Sequence, residues 1–184
     1  MTRTSHALAA DGRVWLVDPV DWAPALERAS SLGQPAGVLQ LLDRHNRDCA
    51  AIAARLAVPH DIVPDALPGT PFSCIALRRS RRWRETALWW PSARMLVVAE
   101  AIGTNRFFTG GKGRAGVHLL LRLQPPQALV ELEAEHVLVG HGEGLHGPEA
   151  AQELRTAVAE SRRGLPRMLL RAPALAADAI RRRS

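Results

Sequence analysis

Asp43-Arg44-His45-Asn46-Arg47-Asp48-Cys49 sits between two stretches of different character. Before it, Gly37-Val38-Leu39-Gln40-Leu41-Leu42 reads as a buried strand; after it, residues 50–56 read as an alanine-rich helix. A strand that feeds a polar loop opening a helix is a common way to hold a ligand, because the first helical N–H groups and the loop side chains converge there. The heptad supplies two arginines where such a loop would be expected to offer neutral or anionic donors.

Working outward, Arg13-Val14-Trp15-Leu16-Val17 is a strand candidate stopped by Asp18-Pro19, since proline lacks an N–H and drives its neighbour out of helical geometry. Residues 21–31 then predict a helix, with Asp21 as cap, Pro24 in the first turn, Leu26, Ala29 and Leu32 at apolar spacing, and Gly33 closing it. The strand at 38–42, the polar loop, the helix at 50–57 and a short strand from Val58-Pro59-His60 complete a β-α-β-α-β alternation. Beyond Pro64, residues 73–77, 86–90 and 95–99 predict short strands of an antiparallel meander. Residues 105–117 carry Gly110, Gly111, Gly113 and Gly116 without phosphate-loop spacing, and predict a mobile surface loop. Leu119 to Leu123 is a short apolar segment; Val137-Leu138-Val139 predicts a buried strand running into Gly140-His141-Gly142, and residues 148–162 an amphipathic helix. The tail, residues 166–184, has helical potential broken by Pro173 and is a candidate homodimer contact.

At 184 residues and 47% apolar, the chain suits one domain, residues 1–184, with a substantial core. It has neither an 18-residue apolar run nor a signal-peptide core near its start, so a membrane location is not expected, and two cysteines, Cys49 and Cys74, build no disulfide framework. The expected location is the cytoplasm. The formal charge of +6 and the cluster Arg78-Arg79-Ser80-Arg81-Arg82-Trp83-Arg84 raise nucleic-acid binding. However, Lys112 is the only lysine among 24 basic residues, and arginine is spread over many elements, which fits a solvated exterior better than a phosphate-tracking stripe.

Four stations resemble the metallo-β-lactamase-fold hydrolases over most of the chain: the strand ending in Val17-Asp18-Pro19; the hexad Arg44-His45-Asn46-Arg47-Asp48-Cys49, which aligns with that family's HxHxDH; the segment from Trp90 to Ala101, with Glu100 at the place of a metal-bridging aspartate; and Val139-Gly140-His141-Gly142, similar to its last histidine motif. The resemblance implies an α/β fold, a compact αββα sandwich. It also implies a dinuclear metal site whose first half here would be Arg44, Asn46 and a residue near Arg81 or Arg82, none of which binds zinc. His45, at a spacer position, is expected to point away.

What remains by the same carry-over is Asp48, Cys49, Glu100 and His141, all able to ligate, which leaves room for one zinc or iron ion and a single-metal hydrolase of an ester, thioester or phosphodiester. The other outcome is an internal ion pair in which Arg44, helped by Arg47, neutralises Asp48 and Glu100. The pocket is then Arg44, Asn46, Arg47, Asp48, Cys49, Glu100 and His141, no cofactor is expected, and the protein is a non-catalytic binding or structural module. Simpler roles stay open for single residues: Asp48 as a helix N-cap, Cys49 as a small buried residue, and His141 as a loop-bonding histidine.

Overall fold

The computed structural model describes residues 3–165, and the C-terminal tail with its expected helix and dimer contact lies outside the described residues. The described residues divide into two compact units, one of residues 5–91 and one of residues 3–4 with 92–165. No helix among the described residues is long and apolar enough to cross a membrane.

The first unit is built on a sheet of order β1 (His6–Ala10), β2 (Arg13–Val17), β3 (Gln34–Gln40) and β4 (His60–Ile62). β1 and β2 are antiparallel, while β2, β3 and β4 run parallel, joined through α1 (Ala23–Ser30) and α2 (Cys49–Leu56). The β1–β2 turn is Asp11-Gly12 with φ of +51° and +72°, the two left-handed residues that match the twist of a tight hairpin. Val14, Leu16, Ala29, Val38, Cys49, Ile52 and Ala53 pack as one buried cluster, so Cys49 and Ala53 of α2 are small where the helix lies close against β2 and β3, while Ala50, Ala51 and Ala54 face outward and are exposed. The α1 start departs from the expected cap: Trp22 is the N-cap with no side-chain bond, and Asp21 instead pairs with Arg55 at 2.8 Å.

In the same unit β5 (Ser73–Ser80) and β6 (Trp83–Trp90) form a hairpin with a register shift between Ala76 and Arg78. The strands run longer than expected and swallow most of the arginine cluster. Arg79 ties back to Asp65 at 2.7 Å and to the Glu85 carbonyl at 2.7 Å. The start of β6 runs beside residues 41–43, through Thr86 N–H to the Leu41 carbonyl and Asp43 N–H to the Arg84 carbonyl. This fixes where the polar loop leaves the sheet.

The second unit carries β7 (Met95–Val98) parallel to β10 (His136–Val139), with β11 (Leu145–His146) antiparallel on its far side. A ribbon of β8 (Ile102–Gly103) and β9 (Gly116–Val117) closes around α3 (Arg106–Thr109), and α4 (Ala150–Ala159) packs on β9. The expected mobile loop at 105–117 is therefore structured at both ends: Asn105 caps α3 by accepting the Phe107 N–H, and Gly116 lies so close to Phe108 that a Cβ would come within 2.2 Å of its carbonyl oxygen. Within the short apolar segment, Leu119–Leu121 is a single 3-10 turn.

Candidate functional site

Each unit brings some of the expected residues together. In the 5–91 unit the organising group is Asp18, at the end of β2, 2% exposed and with φ of +45°. Its Oδ1 accepts the Leu41 N–H at 3.2 Å and its Oδ2 lies 3.0 Å from His45 Nδ1. A carboxylate only accepts, so His45 must donate from Nδ1, which makes Nε2 the basic nitrogen of the ring. A carboxylate orienting a histidine in this way is the arrangement seen behind metal-binding imidazoles. The expectation that His45, as a spacer, points away is corrected: the ring is turned inward and is 8% exposed, because the buried carboxylate at the end of β2 needs a donor.

The remaining loop side chains are engaged within this unit. Arg44 is exposed; its guanidinium lies 4.3 Å from the Trp83 ring centroid and donates to the Arg82 carbonyl at 3.4 Å. This stacking takes the place of the expected bridge to Asp48, since a flat, weakly hydrated cation gains from an aromatic face without losing its water. Asn46 accepts from Gln40 Nε2 at 3.3 Å. Arg47, in a left-handed conformation at φ +39°, donates from Nη1 to the Asp18 carbonyl at 2.5 Å and to Ser5 Oγ at 3.2 Å. Asp48 stands at the N-cap of α2 but makes no side-chain cap bond; its Oδ2 accepts the Asp21 N–H at 2.7 Å.

Cys49 is fully buried and its thiol donates to the His45 carbonyl at 3.6 Å. Burial, then the negative charge of Asp18, push that thiol up to about 12, against the pull of Arg47. A group this reluctant to ionise is a poor metal ligand and a poor nucleophile, which counts against the ligand role implied by the resemblance.

In the second unit Glu100 follows β7, and its Oε1 lies 3.5 Å from His118 Nε2 and 4.0 Å from His141 Nε2. All three side chains are largely buried. His118 caps the 3-10 turn by accepting the Leu120 N–H on Nδ1 at 3.2 Å, so its proton sits on Nε2 and faces Glu100. His118 holds the carboxylate and in that tautomer offers no lone pair to a metal. Its sequence spacing gave no sign of this role, because only the pairing of β8 with β9 brings it beside Glu100.

The glycines around His141 have steric causes. A Cβ on Gly140 would meet the Ala99 carbonyl oxygen at 2.2 Å, and Gly142 sits at φ +108° against Thr104. The His141 ring stacks on Phe108 at 5.6 Å with planes 25° apart. Thr104 Oγ1 donates to the Glu143 carbonyl at 2.6 Å and Thr4 Oγ1 to the Gly142 carbonyl at 2.9 Å, so the loop is fixed from both sides within the unit.

The donor chemistry does not fit a dinuclear centre. Arg44 and Asn46, which the resemblance assigns to two of its ligand positions, offer no group that binds zinc, and Cys49 is held as a neutral thiol. Glu100 and His141 are suitable ligand types for a zinc or iron ion.

No family model matches the sequence, and no curated protein matches it significantly. Solved structures do match. The chain is similar to DIM-1 metallo-β-lactamase, at 12% identity and a TM-score of 0.59, covering 84% of this chain and 86% of that one. It is similar to the B3 metallo-β-lactamase BLEG-1, at 16% identity and a TM-score of 0.53, over 79% and 93% of the two chains. A third match is the chemotaxis sensor ODP, solved with a peroxy diiron species, at 13% identity and a TM-score of 0.55, over 86% and 85%. The chain has the α/β fold of the metallo-β-lactamases.

Proposed function

We propose that this chain is a metallo-β-lactamase-fold protein that has given up dinuclear catalysis and serves as a non-catalytic binding or structural module. The observation that carries the reading is the use of the hexad within its own unit: Arg44 on Trp83, Arg47 on the Asp18 carbonyl, Asp48 on the Asp21 N–H, and Cys49 as a buried neutral thiol. Two-metal hydrolysis needs one ion to generate the nucleophile and a second to clamp the opposing oxygen. Side chains already committed to hydrogen bonds and stacking would have to abandon them to serve either ion.

A second reading is favoured by the Glu100–His141 pair. In a single-metal hydrolase of an ester, thioester or phosphodiester, Glu100 and His141 would be ligands, and a zinc or iron ion would supply a Lewis acid that activates water. His118 would keep the Glu100 carboxylate oriented through its Nε2–H. Diiron chemistry belongs to one structural neighbour and zinc is the usual ion of such donor sets, so both metals enter the test.

Calorimetric titration of the purified chain with zinc and, anaerobically, with ferrous iron separates the readings. The module reading expects no tight step that Glu100→Gln or His141→Ala abolishes. One such step, accompanied by hydrolysis of a model ester or phosphodiester that both variants lose, would establish the second reading, and two cooperative steps would remove the first.

A further inference from the structure

The β10–β11 pair carries two histidines that the candidate site does not use. His136 and His146 are register partners across the antiparallel ladder, which places both rings on one face of the sheet. Their Nδ1 atoms are 3.0 Å apart, with ring centroids at 5.2 Å and planes tilted by 53°. In the neutral pair one ring donates its Nδ1–H to the Nδ1 lone pair of the other, so the two histidines are opposite tautomers. His146 is exposed and His136 half-buried.

A Cβ on Gly144 would come within 2.8 Å of His146 Nε2, so a larger residue there would push the ring out of the position that turns Nδ1 toward His136. The adjacent Glu135 is occupied by Arg94 at 2.7 Å. Two imidazole nitrogens bound to one transition-metal ion at about 2.0–2.1 Å stand roughly 2.9–3.4 Å apart for angles between octahedral and tetrahedral. The observed 3.0 Å lies inside that window, so the spacing already suits a shared metal ion, and each ring has only to turn by about 35–45° to aim its Nδ1 lone pair off the N–N line at the ion.

We propose that His136 and His146 form a surface chelate for a divalent transition-metal ion of the imidazole-preferring kind, with solvent completing its coordination. Two metal–nitrogen bonds form, one to each Nδ1, and the hydrogen bond between the rings is broken. The donor ring loses its proton from Nδ1 and takes one up at Nε2, so both ligands stay neutral and the neutral pair loses no net proton. The site does not depend on the proposed function above.

The test is a Ni²⁺ titration of the untagged full chain carrying Glu100→Gln, which weakens the other carboxylate–histidine cluster. One equivalent is expected to bind, and that step is expected to vanish in both His136→Ala and His146→Ala. His136→Gln and His146→Gln serve as second variants if either alanine variant loses its circular-dichroism signature. With Zn²⁺ as the diamagnetic probe, long-range proton–nitrogen correlation spectra should show both rings as Nε2–H tautomers with both Nδ1 signals shifted by the metal. Equal Ni²⁺ binding by parent and histidine variants, no Ni²⁺ binding by the parent, or Zn²⁺ shifts confined to one ring would overturn the proposal.

Discussion

Asp18→Ala is the most informative perturbation, because one buried carboxylate joins the end of β2, the end of β3 and the polar loop. The substitution removes the acceptor for the Leu41 N–H at 3.2 Å and for the His45 Nδ1–H at 3.0 Å, both inside the unit. A buried donor deprived of its acceptor costs about 1–3 kcal/mol, so two of them give roughly 2–6 kcal/mol. That is a large share of the roughly 5–15 kcal/mol by which domains are stable. Asp18→Asn should lose much less, about 1 kcal/mol, since the amide oxygen can keep one donor and His45 can change tautomer to accept from the amide. The assay is urea unfolding at neutral pH followed by tryptophan fluorescence, with Trp15 and Trp83 buried in the same unit. A midpoint for Asp18→Ala equal to that of the parent, or an equal loss for Asp18→Asn, would refute the account of Asp18 as the donor-satisfying anchor.

The Cys49 thiol should resist disulfide-exchange labelling in the native chain at pH 7–8, and native labelling at the rate of a free thiol would contradict its burial. Its ionisation is raised from an ordinary 9.0 to about 12, so the stability gained from the neutral form is present below pH 9 and is lost as pH climbs toward 12. The parent should therefore lose more stability over that interval than Cys49→Ala, by at most about 4 kcal/mol, measured by urea midpoints at each pH. Gly140→Ala should destabilise by about 1–3 kcal/mol or more through the clash with the Ala99 carbonyl, and thermal melting within a degree of the parent would argue against that contact. Arg122→Lys should lower the melting temperature, because one buried guanidinium serves the carbonyls of Phe108 and Ser161 and an ammonium has no fork to span them; an unchanged melt would count against this role. Arg44→His should recruit no zinc, since the new ring would lie on the Trp83 side of the loop; a gained zinc equivalent would show that Arg44 stands in a metal position.

Much of the fold was readable because periodicity and punctuation agreed. Arg13–Val17 was legible to the residue, stopped by Asp18-Pro19, and the helix after the polar loop by its alanines. Strand β1 is not legible in the sequence although Asp11-Gly12 is a strong short hairpin signal, because His6–Ala10 is too rich in alanine to look like a strand. The sequence pattern of β5 and β6 ends short of the observed hairpin because arginines on a solvated strand face resemble a loop. At the candidate site, the motifs around Glu100 and His141 mark both residues, and the structure sets their side chains 4.0 Å apart. His118 and the inward turn of His45 are not so marked, since each depends on a partner far along the chain: Glu100 placed by β7, and Asp18 placed by β2. The expected pairing of Arg44 with Asp48 failed for a related reason. Charge alone suggested a carboxylate partner, whereas the β5–β6 hairpin supplies the Trp83 face nearer at hand.

The most direct measurement is the metal content of the untagged chain after growth with added zinc and iron and exhaustive dialysis, carried out in a His146→Ala background so that the surface pair contributes nothing. The account predicts no stoichiometric metal. Two tightly held equivalents would contradict it outright, and one equivalent lost in Glu100→Gln and His141→Ala would replace the module with the single-metal hydrolase.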